Sequence, residues 1–429
     1  MKKNIAIIGG GPMGLATALE LLKRGHRITL YESDDVLGGM TASFDFSGVC
    51  IERYYHFICA GDQPLFDIMR ELGISDKLRW NRTKMGYFYD GHLNDWGNPL
   101  ALFRFKGAGP IPKIRYGLHA YLSVKKSDWR TLDPMEATSW IRRWVGEEGY
   151  RIWWKNLFDL KFYDYKENLS AAWIWTRIKR IGTSRYDLFN EKLGYIENGS
   201  ETLLQAFRSR IEAEGGIIRL STPVQKVVIE KHAVKGVYLE GTLVPHDAVV
   251  STIPAPLVNE LIPDMNKEIA KRFSELKNIA VVCVIAKLSK QVTQNFWLNV
   301  NDHRMDIPGI VEYTNLRPMK DHIVYVPFYM PGDHEKFKDS DGIFAEKVKK
   351  YLRIINTKLE DKDFLDIQVS RYRYAQPICG PEYLKKIPPV DLPVKGLYVA
   401  DTSYYYPEDR GISESVRFAR NIVFCIEKA

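Results

Sequence analysis

A chain of 429 residues is longer than one hydrophobic core usually serves, so two domains, or one domain split by insertions, are expected. Apolar residues make up 45% and charged residues 27%, the balance of a soluble globular protein, and a net charge of +8 on this length is too mild to mark a nucleic-acid binder. The five cysteines (50, 59, 283, 379 and 425) form no Cys-x-x-Cys pair, which argues against a disulfide framework or a zinc site and for a reducing, cytoplasmic setting. No apolar stretch approaches the roughly 18 residues of a spanning helix, and the apolar part of MKKNIAIIGGG is too short for a signal sequence.

Ile5 to Ile8 form a short apolar run, as a parallel strand buried on both faces should. Gly9, Gly11 and Gly14 follow at G-x-G-x-x-G spacing, with Pro12 and Met13 inside the motif. The first glycine permits a tight turn, the second lets the backbone approach a pyrophosphate, and the third lets a helix pack close to the strand. Leu15, Ala18, Leu19 and Leu22 mark one face of that helix, and Gly25 stops it. Its first amides and positive dipole end point at the loop. The run RITLYE is the second strand. Glu32, followed by Ser33, stands where a carboxylate accepts hydrogen bonds from ribose hydroxyls. An acid there disfavours NADP, whose 2′-phosphate it repels. Strand, loop, helix, strand and acid in unbroken register make a nucleotide site the first functional expectation.

A glycine pair, Gly38 and Gly39, then precedes Met40. The whole run from Gly9 reads G-x-G-x-x-G-x3-A-x2-L-x3-G-x2-I-x3-E-x5-G-G. It resembles the FAD-binding fingerprint of the glutathione-reductase-type flavoproteins, in the branch of the flavin-containing amine oxidases, protoporphyrinogen oxidase and phytoene desaturase. That resemblance implies an α/β fold: a Rossmann-type FAD-binding domain carrying an inserted α+β substrate domain. It also implies that Gly38, Gly39 and Met40 pass close to the FAD phosphates and flavin. Amine oxidases usually have arginine where Met40 stands, which weakens the likeness to true amine oxidases. His56, in GVCIERYYHFICAGDQ, lies in a segment similar to one of UDP-galactopyranose mutase. On that likeness it is the catalytic candidate, placed to hydrogen-bond flavin or substrate; a buried histidine satisfied by backbone is the plain alternative.

Residues 76–189 hold nine of the ten tryptophans. WIRRWVGEEGYRIWWKNLF and SAAWIWTRIKRIG read as helices. Arg177, Lys179, Arg180 and Arg185 make a basic run, which is either a solvated helix face or the contact to an anionic substrate. Lys161 reads either as a surface lysine or as a substrate-side cation. Residues 100–130 mix apolar and basic groups, in the manner either of a peripheral membrane contact or of a helical pair packed on the substrate domain. The segment Leu193 to Glu230 resembles the family's return to the FAD domain, where the backbone near Val224 would hold the adenine. Residues 279–288, 307–316 and 322–330 alternate apolar and polar, as half-buried strands do.

Near the end, KGLYVADTSYYYPEDRGISESVRFARNI resembles the second FAD motif of the same flavoproteins. By resemblance Asp401 approaches the pyrophosphate and ribitol, and Gly411, Ile412 and Ser413 open a helix toward the flavin. A helix N-terminus suits the charge of reduced flavin. Tyr329, Tyr374 and Tyr405 are expected to wall the substrate side, together with Arg177 and Arg180. No cysteine lies in the Asp401–Gly411 loop, so FAD is expected to be non-covalent. No second G-x-G-x-x-G motif exists, so electrons pass to an external acceptor rather than to NAD(P)H, and no metal site is expected.

These readings divide the chain into an FAD-binding domain of 1–75, 190–255 and 390–429 and a substrate domain of 76–189 and 256–389. The expected activity is an FAD-dependent oxidoreductase that takes a hydride from a C–H or C–N bond of a small-molecule substrate onto flavin N5. A redox-neutral sugar-nucleotide mutase and a flavin-binding protein without turnover stay open as alternatives. The expected location is cytoplasmic, with at most peripheral contact at the inner membrane face.

Overall fold

Five short strands, Leu397–Val399, Ala248–Ser251, Asn4–Ile8, Arg27–Tyr31 and Ile217–Arg219, lie side by side in that order in an all-parallel sheet. The computed structural model describes residues 2–185, 187 and 191–428. Ile5, Ala6 and Ile7 pair with Ala248, Val249 and Val250 on one side and Ile28, Thr29 and Leu30 on the other. The central strands are covered on both faces, which is why their residues are apolar without alternation. The helix Pro12–Leu22 packs against both Ser200–Ala213 and Ile412–Lys428, so the first and last helices of the chain share one layer. A three-stranded meander, Lys226–Glu230, Ala233–Leu239 and Thr242–Pro245, contacts the strand Ala248–Ser251.

A second, mixed sheet has seven strands in the order Phe364–Pro377, Asn278–Leu288, His322–Pro331, Gly309–Glu312, Trp297–Asn301, Met85–Tyr89 and His92–Trp96. Only the pair Trp297–Asn301 and Met85–Tyr89 runs parallel. All three strands expected here as half-buried are buried instead, Gly309–Glu312 included. Asn278–Leu288 and His322–Pro331 are buried along nearly their whole length. The helix Asp341–Ile355 sends Phe344, Val348 and Leu352 onto Val282, Val284 and Ala286, while Val281, Cys283 and Ile285 face the main core. A strand covered on both faces has no need to alternate. The expected strand 307–316 is shorter, Gly309–Glu312, because the chain turns at Tyr313–Asn315.

The aromatic-rich stretch forms the helices Ala137–Trp153, Lys155–Phe162 and Ala171–Thr183. Before them, Pro99–Arg104 and Pro110–Lys125 make a helical pair. Among the described residues, no helix is long and apolar enough to cross a membrane.

The seating of the first helix depends on Gly14. A Cβ there would overlap the carbonyl oxygen of Gly9, a backbone atom that cannot rotate away. Gly14→Ala is expected to cost about 3 kcal/mol, the upper part of the overpacking range, read as a lowered urea midpoint at constant m-value. An unchanged midpoint would mean that the helix has room to shift.

Candidate functional site

The strand Asn4–Ile8 ends at Gly9, whose φ of +106° suits glycine and little else. Gly9 N–H donates to the Tyr31 carbonyl at 2.9 Å, and Gly10 N–H donates to Glu32 Oε2 at 2.6 Å. Glu32 Oε1 accepts from Asp34 N–H at 2.9 Å and Ser33 Oγ at 3.2 Å. The acid at the end of the second strand therefore braces the glycine loop. Gly11 is the N-cap of the helix Pro12–Leu22, and a Cβ on it would meet nothing within 4 Å. Met13 and Gly14 stand in the first turn, where amides have no intrahelical acceptor. Gly38 N–H donates to the Gly10 carbonyl at 2.9 Å, and a Cβ on Gly39 would touch only Gly11 Cα, at 3.7 Å. The two glycine loops thus face one another. Thr222 N–H donates to the Glu32 carbonyl at 2.8 Å, which fixes the segment leading to Val224 beside them.

Asp401 follows the strand Leu397–Val399. Its carboxylate accepts from Ala255 N–H at 2.7 Å, from Ser403 N–H at 2.9 Å and from Ser403 Oγ. Burial pushes its pKa up. Like Glu32, it ties adjacent loops together. Gly411 precedes the helix Ile412–Lys428, and in its first turn Ser413 Oγ is buried without a partner.

These segments surround one cavity of about 1630 Å³. Gly9, Gly11, Pro12, Met13, Glu32 and Ser33 line it, as do Gly38, Gly39, Met40 and Val224. Asp401, Gly411, Ile412 and Ser413 continue the wall. His56, Arg177, Arg180, Tyr329, Tyr374 and Tyr405 line it too. Gly14 lies off the lining, because its place is the contact between helix and strand.

The wall beyond His56 decides between the two readings open for its cations. Arg177 and Arg180 are not a solvated face: their side chains are 19% and 24% exposed. Arg177 pairs with Asp409 at 2.8 Å and lies 3.9 Å above the Trp173 ring. Arg180 pairs with Asp62 at 3.0 Å. Lys161 is not on the surface. Its ammonium lies 5.1 Å from the centre of the Tyr329 ring, and burial, then the charge of Arg177, push its pKa down to about 7. Lys179 turns away to the Lys126 carbonyl at 2.8 Å. His56 is held neutral, with a pKa pushed down to about 4 by burial and by Arg410, and its Nδ1 has no partner. Tyr54, Tyr55, Tyr372, Asp409 and Arg410 join this wall without having been singled out in the sequence. Asp409 and Arg410 immediately precede Gly411, a position that offered the signal.

From there the cavity continues past Tyr87, Trp96, Tyr116 and Trp153, whose rings pack at 4.8–5.9 Å. It opens at Phe103, Lys113, Ile114, Tyr121 and Lys125 on the helical pair. Phe103 is 77% exposed and Ile114 70%.

Residues 14–414 match the family model described as flavin containing amine oxidoreductase. The chain belongs to this family. Membership implies a flavin cofactor. The 15-cis-phytoene desaturase of Solanum lycopersicum is 26% identical over 311 residues, 66% of this chain and 51% of that protein. The chain thus spans about half the length of this curated relative. An oxidoreductase from Methanosarcina mazei superposes with a TM-score of 0.74 at 17% identity, covering 98% of this chain and 99% of the other. Reduced UDP-galactopyranose mutase superposes at 0.77 with 17% identity, covering 100% and 96%. At these identities the two structures speak for the fold alone, a Rossmann-like parallel sheet joined to a second, mixed sheet.

One titrating group at the cavity is a matter of packing. His119, on the helix Pro110–Lys125, is wedged against Trp140 and Trp144 at 4.6 and 5.7 Å. Burial pushes its pKa from 6.5 down to about 4. The folded chain therefore refuses a proton that the unfolded chain binds, and stability is lost as pH falls through this window. His119→Phe is expected to flatten the stability profile between these values by up to about 1.4 kcal/mol per pH unit, measured by urea unfolding at stepped pH. An identical slope in the variant overturns the assignment.

Proposed function

We propose that the protein is an FAD-dependent oxidoreductase that removes a hydride from a C–H or C–N bond of an organic molecule held in the cavity. The observation carrying this reading is the continuity of one cavity from the glycine loops, through the start of the helix Ile412–Lys428, into an aromatic corridor. The residues fit a dinucleotide. Gly11 leaves open space for a pyrophosphate, and Ser413 Oγ is a buried donor without an acceptor. In this reading Glu32, Ser33 and Val224 hold the adenosine half, and Gly9, Gly11, Pro12, Met13, Gly38, Gly39 and Met40 cradle the phosphates. Asp401, Gly411, Ile412 and Ser413 hold the flavin end. Bound FAD supplies a two-electron acceptor. The chain supplies orientation, a dry wall and positive potential from Arg410 and the helix N-terminus. His56 belongs to that wall as a neutral hydrogen-bonding group. The cofactor is non-covalent: Cys283 is the sole cysteine of the lining among the described residues, and burial drives its pKa up, keeping it a thiol.

The division into an FAD-binding domain (1–75, 190–255, 390–429) and a substrate domain (76–189, 256–389) belongs to the same proposal. Its junction at 189/190 lies outside the described residues. The basic wall of Arg177 and Arg180 favours a second reading, the redox-neutral mutase. The apolar corridor speaks against a sugar nucleotide. Anaerobic titration separates the two: a substrate of the oxidoreductase bleaches oxidised flavin directly, whereas a mutase turns over only after dithionite.

Purified protein is expected to be yellow and to release FAD on acid denaturation. Gly11→Val is expected to stay folded and lose its flavin, because the side chain fills the phosphate space. FMN in the supernatant, or full flavin content in the variant, overturns this reading.

The same proposal extends to location, a cytoplasmic protein docked sideways on an anionic membrane. All five cysteines are free thiols. Ile111, Ile114, Leu118, Tyr121 and Leu122 form an exposed stripe along one helix, flanked by exposed Arg104, Lys106 and Lys125. Apolar groups that dip below headgroups beside cations suit an anionic lipid surface, and the cavity opens within this stripe. Flotation with anionic vesicles at low salt is expected, and Lys113→Glu with Lys125→Glu should abolish it while flavin is retained. Failure of the parent protein to float rules the surface out, since screening is weakest there.

A further inference from the structure

The charges facing the inner end of the cavity do not balance. Lys161, Arg177, Arg180 and Arg410 line it, against the carboxylates Asp62 and Asp409. Arg180 is matched by Asp62, and Glu408 stands on its side of the wall. Asp409 serves the rest: it accepts from Arg177 at 2.8 Å, from Gln376 Nε2 at 3.0 Å and from the Arg410 backbone N–H at 2.9 Å. The deficit is visible atom by atom. Arg177 Nε and Arg410 Nη1 are buried without an acceptor. The Lys161 ammonium lies over the rings of Tyr329 and Phe162 and feels Asp409 only at longer range, without an ion pair. Unpaired cations inside a protein are costly, and two unsatisfied guanidinium donors beside an unpaired ammonium await an oxyanion with several lone pairs.

The neighbouring space is of another kind. Leaving this wall, the cavity runs between Tyr87, Trp96, Tyr116 and Trp153 to the apolar mouth at Phe103 and Ile114. Its total of about 1630 Å³ exceeds the roughly 300–1,000 Å³ of one small-molecule pocket. There is room for a long ligand besides a dinucleotide.

The geometry points to an anionic amphiphile as the substrate class: a carboxylate or phosphate head held by Lys161, Arg177 and Arg410, with a long unbranched or isoprenoid tail lying in the aromatic corridor. This deepens the oxidoreductase reading and rests on it for the chemistry, though not for the binding. Arg177 and Lys161 sit on the helices Ala171–Thr183 and Lys155–Phe162, away from both glycine loops, so flavin retention and head binding are separable.

The test is calorimetric titration of the flavin-loaded protein, as purified, with four probes below their micelle concentrations: dodecanoate, dodecyl phosphate, dodecanol and inorganic phosphate. At least one of the two anionic amphiphiles is expected to bind about tenfold or more tightly than dodecanol, as hydrogen bonds to charged groups imply. The tighter of the two names the head. Inorganic phosphate is expected to bind far more weakly than dodecyl phosphate. Lys161→Met removes a cation without an ion-pair partner, so the variant should fold, keep its flavin and lose the preference for anions. Arg410→Gln is the second variant and should lose the same preference, its affinities being taken on the flavin-loaded fraction. Equal binding of dodecanol and both anions overturns the proposal, as does a preference that survives both variants. Inorganic phosphate binding as tightly as dodecyl phosphate overturns the amphiphile. Absence of flavin from the purified protein sinks the oxidoreductase reading alone, and the titration then runs unchanged.

Discussion

The close approach of the helix Pro12–Leu22 to the strand Asn4–Ile8 governs the rest of the molecule. It exists because Gly14 has no side chain to strike the Gly9 carbonyl. Once the helix is seated there, its free amides face the cavity and its outer face receives the helices Ser200–Ala213 and Ile412–Lys428. The last of these begins at Gly411, so the packing that fixes one helix N-terminus also fixes a second. Two positive dipole ends, far apart in sequence, then open on one cavity. That is how a discontinuous chain builds a continuous site.

The carboxylates that mark the site in the sequence have work of their own. Glu32 accepts two backbone amides and one hydroxyl, and Asp401 accepts two backbone amides and one hydroxyl. Each binds loops that the parallel sheet leaves at its edge, where backbone donors would otherwise go unmet. Removing either acid therefore does two things at once. It withdraws the contact proposed for the cofactor and frees the loop that shapes the cradle. A loss of cofactor in such a variant is not a measure of one hydrogen bond.

Legibility follows the range of the interactions. The glycine loop, the first helix and the acid after the second strand are consecutive, and the chain shows them directly. The second sheet was legible as strands but not in its burial. Nothing near Asn278–Leu288 announces that Phe344 and Val348 will cover its back. The basic wall was the hardest to read. On a helix, Arg177 and Arg180 look like residues for solvent, and Lys161 looks the same. Their burial comes from Tyr329, Asp62 and Asp409, contributed by other parts of the chain. Asp409 and Arg410 looked like loop residues before a helix, because the element they complete is the cavity and not the loop.

Stability alone does not explain that wall. An apolar residue in place of Lys161 would fill the same space beside Tyr329 without the cost of desolvating an ammonium. The pKa of about 7, set by burial and then by Arg177, records that cost: near neutrality the empty site spares part of it by shedding the proton. An anion brought against Lys161 reverses the balance. It restores the charged form, takes up a proton and offsets the positive charge of Arg177 and Arg410. Asp409 does this only in part, since it is already bonded to Arg177 and Gln376 and acts on Lys161 from a distance. The strain of unpaired charge is thus confined to the place where the aromatic corridor ends. A ligand that satisfies both must be charged at one end and apolar along the rest.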